Sequence, residues 1–329
     1  MLILTAADLR AALPMDQTIA AMKTAFAALS AGRAEVPLRS RLPVDAHQGV
    51  SLFMPAFLTG DDDDALAIKI VSVFSENAKL NLPIIHAAVV VLEAHTGRII
   101  AMLEGAALTA IRTGAGAGAA TDLLARSDCH SAAVFGAGVQ ARTQLEAVCS
   151  VRPIQTAWVY DPNQRQVENF IAEMAGQGAI PSDLRAAANP TEAVAQADII
   201  CTATTASTPV FDDKDLKPGV HINAVGSYTP EMQEVPAATV QRALVTVDSR
   251  QSVLAETGDL IQPIQQGLFS ASHIHAEIGE LVLGKQSGRS SADQITYFKS
   301  CGVAVQDAMA GRLAIKNAAL LGLGQQVAW

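Results

Sequence analysis

The chain has 329 residues, half of them apolar, which is enough for two domains and a sizeable core. Its formal net charge of -9 at pH 7 argues against a nucleic-acid partner, and any anionic substrate must be gathered by a local cationic pocket. No stretch approaches the roughly 18 consecutive apolar residues of a membrane span, and the start, MLILTAADLR, lacks the positive segment of a secretory signal, so a cytoplasmic protein is expected.

In chain order, the first element is an amphipathic helix. Ile19, Met22, Phe26 and Leu29 recur at helical spacing, with Asp16 placed to cap it and Gly32 to stop it. Residues 36–57 alternate and turn, and ALAIKIVSVF and IIHAAVVVLEA continue as strand-like runs, so the first region is mostly β. The acidic run at 61–64 reads as a solvated loop, because a calcium site needs further spaced oxygen ligands. Residues 109–126 shift to Ala, Gly and Thr and predict a small-faced helix. The domain boundary is placed within it, giving 1–112 and 113–302 as separate domains, with a late helical segment from Tyr297 onward returning residues 303–329 to the first.

The segment AAVFGAGVQA then supplies the most specific signal. An apolar strand runs into Gly136, Gly138 and Ala141 and on into a helix-like stretch; Gly136 permits a tight turn and Gly138 lets backbone approach a pyrophosphate at the helix N-terminus. The next strand, TAWVYD, ends on Asp161, about twenty positions past Ala141, where an acidic side chain meets an adenosine ribose. Further strands are predicted at 198–204, 220–225 and 244–248. Their alternation with helices implies a Rossmann-type, doubly wound parallel sheet, covered on both faces, with its ligand at the carboxyl ends of the strands. The cofactor expected is NADH or NADPH. Asp161 favours NADH by repelling a 2'-phosphate, although Asn163 and Arg165 would admit NADPH if Pro162 turned Asp161 away.

Four cations in apolar or turn contexts are candidates for chemistry. Lys69 sits inside ALAIKIVSVF, where a buried ammonium is costly unless paired with an anion; the alternative is an edge lysine facing solvent. Arg112 opens the small-residue segment and suits a bidentate contact with phosphate or carboxylate, and Arg39 or Arg41 supplies a second prong, the other being exposed. His86, in an apolar strand, is either a proton donor or a hydrogen-bonded core histidine. The four cysteines, Cys129, Cys149, Cys201 and Cys301, lack metal-ligand spacing, and no metal site is expected at the pair His273 and His275.

The combination of LFMPAF, AIKIVSVF, TGRIIAMLEGAALTAIRTGAGAGAAT, AAVFGAGVQA, AVGSYTPEMQEV and TYFKSCGVAVQD resembles the ornithine cyclodeaminase and mu-crystallin family over essentially the whole chain. The resemblance implies a homodimer in which a Rossmann domain is joined to an α+β substrate-binding and dimerisation domain. It implies that Lys69 and Arg39 hold a substrate carboxylate and that Arg112 meets the cofactor phosphates. It also places Val139, Gln140, Asp161, Thr202, Val225 and Gly226 along the dinucleotide, with Ile295 and its neighbours near the nicotinamide end. Cyclodeaminases carry an acidic catalytic residue in a G-G-D-C-P-G turn, whereas here the turn reads Gly226, Ser227, Tyr228, Thr229, Pro230, and Leu52 stands where they have a glutamate. Without the acid at 228, ornithine cyclisation loses its general base, and an ordinary phenol titrates too high to replace it. The turn is similar to that of reductases of the cyclic imino acids Δ1-pyrroline-2-carboxylate and Δ1-piperideine-2-carboxylate, the activity expected here. An alanine dehydrogenase of the same family and a non-enzymatic, mu-crystallin-like binder are the competing expectations.

Overall fold

The computed structural model describes residues 1–60 and 64–328, which divide into two compact units, Met1–Arg112 with Val303–Trp329 and Thr113–Gly302. Most of the acidic run lies outside the described residues; of its members Asp64 accepts a hydrogen bond from the Gly60 amide at 3.2 Å.

The chain opens with β1 (Leu2–Leu4) and α1 (Ala6–Ala12), whose first turn is closed by a capping box between Thr5 and Asp8. In α2 (Met15–Ser30) Ile19, Met22 and Phe26 are buried as their spacing predicts. Asp16 does not cap it: the cap position falls on Pro14, whose φ of -60° pre-sets the helix entry, so Asp16 sits in the first turn. Strands β2 (Ala34–Glu35), β3 (Ser40–Val44), β4 (Gly49–Leu58), β5 (Ala65–Phe74), β6 (Ile85–Leu92) and β7 (Ile99–Glu104) follow, and α3 (Gly105–Leu124) begins directly after β7.

From Ser131 strands and helices alternate: β8 (Ser131–Phe135), α4 (Val139–Val151), β9 (Thr156–Tyr160), α5 (Gln164–Met174), β10 (Asp183–Ala186), α6 (Pro190–Ala195) and β11 (Ile199–Thr202). Then come β12 (His221–Ala224), α7 (Ala237–Arg242), β13 (Leu244–Val247), α8 (Arg250–Glu256), α9 (Gly258–Gln265), β14 (Ile274–Glu277), α10 (Ile278–Val282) and β15 (Thr296–Lys299). The strands form one sheet in the order β10-β9-β8-β11-β12-β15-β13-β14, and every pairing is parallel. Along β8 successive side chains enter two different cores: Ala132 and Val134 belong to one, Ala133 and Phe135 to the other. That two-sided burial explains why these strands read as continuous apolar runs. The order reverses between β8 and β11, which puts the ligand crevice of such sheets at the ends of those strands.

The last part of the chain is α11 (Ala304–Leu321) and β16 (Gln325–Gln326). The helix does not begin near Tyr297. Tyr297, Phe298 and Lys299 are fully buried in β15, and Gly302, at φ +79°, makes the turn before α11.

The first unit's sheet runs β16-β1-β7-β6-β5-β4-β2, with β3 also on β4, and α11 packs on β4, β5 and β6 and against α2. Its covered face carries the cross-strand rows Met54, Lys69, Val89, Leu103 and Ala56, Ala67, Val91, Ala101, all buried. The other face carries Phe57, Leu66, Leu92 and Pro55, Ile68, Val90, Met102, all apolar and all partly or largely accessible. Among the described residues no helix is long and apolar enough to cross a membrane.

Candidate active site

Strand alternation decides the environment of Lys69. It shares the covered face of β5 with Ala65 and Ala67, is 3% exposed, and places Nζ 2.9 Å from Asp307 Oδ2, so the solvent-facing alternative does not hold. Asp307 lies in the first turn of α11, where the helix dipole favours a carboxylate. The same carboxylate takes Arg112: Nε donates to Asp307 Oδ1 at 2.9 Å, and Nη1 donates to Gln306 Oε1 at 2.8 Å. Two buried cations therefore share one anion, leaving one positive charge in excess in a region where bare charge is expensive. Burial first, and the nearby Arg112 and Arg39 with it, bring the Lys69 ammonium down to about 8, against the opposing pull of Asp307.

Arg39 is half-buried and close enough to act on Lys69, while Arg41 is exposed on β3 opposite Leu52. Arg39 is thus the member of that pair that joins the cluster. His86 does not join it. Its Cα pairs with Ser72, three positions along β5 from Lys69, and regular pairing over that stretch puts it, exposed, on the opposite face of the sheet. This exposed placement corrects the core-histidine expectation and sets the ring apart from the Lys69 cluster. Gln306 and Asp307 were missed because a helical apolar stripe conceals them: the segment reads as core, and only the need of Lys69 for a buried anion pointed to a partner somewhere.

In the second unit the glycine loop joins β8 to α4. Gly136 has φ +92°, and a Cβ there would stand 2.5 Å from the Ala203 carbonyl oxygen in the loop after β11. Gly138 is the N-cap residue of α4, no side chain caps that helix, and nothing lies within 4 Å of where its Cβ would be. Val139 is exposed in the first turn, and Gln140 has its Oε1 buried without a hydrogen-bond partner. Uncapped amides beside an unmatched acceptor suit a ligand with both anionic oxygens and hydroxyls, as a dinucleotide has. Asp161 is turned towards this loop: Oδ2 accepts from the Ala137 amide at 3.1 Å and Oδ1 from the Asn163 amide at 2.8 Å.

Val225 and Gly226 follow β12 at the same end of the sheet. Thr202 is at that end too, but its side chain is fully buried and its hydroxyl donates to Glu234 Oε2 at 2.9 Å, so it offers no side-chain contact to a ligand. Ile295 is a correction. It precedes β15, is 3% exposed in the core and accepts from the Leu244 amide, at the amino end of the sheet, away from the glycine loop. The carboxyl end of β15 is instead Lys299, whose following loop is fastened by the buried Asp248, with Oδ2 accepting from Ser300 Oγ, Cys301 N and Gly302 N at 2.8, 2.9 and 2.7 Å. In the departing turn, Tyr228 is exposed. The two histidines of the H-x-H pair are spent on different backbone carbonyls, His273 on Val240 and His275 on Ser287, and among the described residues no cluster suited to a metal ion occurs.

Comparison with known proteins agrees over the whole chain. The profile of the ornithine cyclodeaminase/mu-crystallin family matches residues 1–320. The chain is 40% identical over 328 residues to a Delta(1)-pyrroline-2-carboxylate reductase of Bacillus cereus, covering 99% of each. Its structure is similar to that of the Delta(1)-pyrroline-2-carboxylate reductase of Thermococcus litoralis in complex with NADH and L-proline, with a TM-score of 0.93, 41% identity, and 99% and 100% of the two chains covered. It is also similar to an archaeal alanine dehydrogenase dimer with bound NAD, with a TM-score of 0.91 and 28% identity over 100% of this chain and 99% of that one.

Proposed function

We propose, since this chain belongs to the ornithine cyclodeaminase/mu-crystallin family, that it reduces cyclic imino acids with a nicotinamide dinucleotide, converting Δ1-pyrroline-2-carboxylate to L-proline and Δ1-piperideine-2-carboxylate to L-pipecolate. The observation that carries this reading is the buried cluster of Lys69, Arg112 and Asp307 with its one uncompensated positive charge. A substrate carboxylate neutralises that charge, and it is attached to the imine carbon itself, the ring atom that takes the hydride. Lys69 contributes a point charge, and Arg112, with Nε and Nη1 committed to Asp307 and Gln306, has Nη2 left to donate. Arg39 adds to the field that attracts the anion.

The dinucleotide is assigned to the uncapped start of α4, to Gly136, Gly138, Val139 and Gln140, to Asp161, and to the backbone at Val225 and Gly226. When bound, its reduced nicotinamide supplies the hydride. Asp161 faces the glycine loop, so its charge favours NADH over a cofactor bearing a 2'-phosphate. Holding the ring by its carboxylate restricts which carbon is presented for reduction, and positioning of this kind accounts for a large share of the rate. Lys69, with its ammonium brought down to about 8, is the group in the cluster best able to part with a proton for the imine nitrogen. With Tyr228 in place of an acid, the turn has no carboxylate to drive ammonia loss.

A homodimer follows from the same reading. The apolar outer face of the first unit's sheet is too continuous for a lone solvated surface, and a second copy is its natural cover. Sedimentation at several concentrations tests this, with a strictly monomeric species counting against it. The activity is tested by following NADH and NADPH oxidation with pyrroline-2-carboxylate, piperideine-2-carboxylate, and pyruvate plus ammonia. Ammonia release from ornithine at a rate comparable with imine reduction would sink the assignment.

A further inference from the structure

Glu234 lies in the loop between β12 and α7, is fully buried, and gathers the backbone of two other segments around its carboxylate. Oε1 accepts from the Thr204 amide at 2.7 Å and from Thr204 Oγ1 at 2.9 Å. Oε2 accepts from Thr202 Oγ1 at 2.9 Å, the Gly226 amide at 2.7 Å and the Ser227 amide at 3.1 Å. Those segments follow β11 and β12 at the carboxyl end of the sheet, beside the crevice. They meet so closely that a Cβ on Gly226 would collide with Glu234 Oε1 and with the Thr204 backbone. Behind Glu234, Asp259 Oδ1 accepts from the Glu234 and Val235 amides at 2.7 and 3.2 Å, and Asp259 Oδ2 lies 3.3 Å from the buried Lys299 Nζ and 3.2 Å from Tyr297 Oη.

We infer that Glu234 is a positioning residue for the dinucleotide: it turns three amides inward and thereby sets the shape that the loops after β11 and β12 present to the ligand. The inference rests on the proposed dinucleotide-dependent reduction. Five donors converge on two carboxylate oxygens, and only a carboxylate can accept on both sides. A glutamine would set an NH2 group against either the Thr204 donors or the Thr202, Gly226 and Ser227 donors, so one of the two loops must move.

Asp198 is the control, because it is a carboxylate of the same kind at the other end of the same strand. Just before β11, it accepts from the His130 and Ser131 amides and pairs with Arg126 and Lys217. If Glu234 were merely structural, the two should behave alike. The experiment measures NADH binding by calorimetry and kcat and KM with pyrroline-2-carboxylate, on the full chain. Glu234→Gln should raise Kd and KM for NADH by about tenfold or more while kcat falls by less than about threefold, and Asp198→Asn should lower Tm but keep Kd for NADH within about twofold. A folded Glu234→Gln variant that binds NADH within about twofold of wild type would overturn the inference. Should that variant not fold, Thr202→Val decides. It removes one buried donor to Glu234 at nearly constant volume and should weaken NADH by about threefold, and unchanged binding overturns the inference equally. Failure of the wild-type chain to bind NADH at all would instead remove the proposed function on which this rests.

Discussion

In the first unit Lys69 and Arg112 share the single carboxylate of Asp307, whereas in the second the single ammonium of Lys299 pairs with Asp259 and acts on the buried Glu234 only through its field. Both clusters are buried, and both have unequal numbers of opposite charges. They differ in how the excess is met. A spare carboxylate can be satisfied by the chain itself, since amides at strand ends are donors in any sequence, and Glu234 collects three of them. A cation can be met in the same way, as the partly buried Arg152 is by the carbonyls of Thr121, Ala125 and Arg126, but among the described residues the side chains that meet Lys69 and Arg112 are those of Asp307 and Gln306. Burial alone does not separate a binding site from a scaffold; whether the chain itself supplies partners for the excess charge does.

The largest effect should come from removing the anion of the first cluster. Asp307→Asn leaves Lys69 and Arg112 buried without a counter-charge, and denaturant unfolding should show a loss of about 3–5 kcal/mol. A loss under about 1 kcal/mol would mean that water reaches the cluster and that the two cations are not stranded. Next, Lys69→Ala should lower kcat/KM for the imino acid by about 1.5–3 kcal/mol, the value of one charge-assisted contact, with NADH affinity unchanged. Normal turnover would move the substrate carboxylate elsewhere.

The acid-base state of Lys69 sharpens the comparison further. Its ammonium is lost around pH 8, so kcat/KM should fall as pH rises through about 8, and Lys69→Arg, which keeps the charge but cannot release a proton, should remove that limb and lower the plateau. A pH profile unchanged by Lys69→Arg would assign that limb to another group. In the second unit the corresponding probe is Asp161→Ser. With the charge beside the glycine loop gone, the ratio of kcat/KM for NADPH to that for NADH should rise by about tenfold, and a constant ratio would mean that Asp161 does not read the ribose.

What the sequence disclosed depended on how local the relevant rule is. The Gly136 turn, the acidic end of β9 and the parallel sheet follow from short-range patterns, and the family resemblance over residues 1–320 agrees with them. Lys69 was legible because a lysine within an apolar strand raises an energetic question by itself. Its partner was not, because Asp307 is more than two hundred residues away and sits in a helix that reads as core. His86 was misplaced because relating it to Lys69 requires the register of β5 against β6, which neither strand encodes alone. Ile295 failed for a related reason. Its place was carried over from the family resemblance, which does not say at which end of β15 a residue falls.

Gly136 and Gly138 stand two positions apart and are enforced by different agents. At 136 the constraint is internal, through a left-handed φ and the Ala203 carbonyl, so any side chain is refused by the fold before a ligand is involved. At 138 the backbone is extended, with φ -84°, and no protein atom crowds the Cβ position. An alanine there is free of steric objection from the chain, and the only object it can obstruct is whatever occupies the loop. The demand at 136 is therefore made by the fold, whereas at 138 the chain asks only for an acceptable helix cap and leaves the space above the loop open.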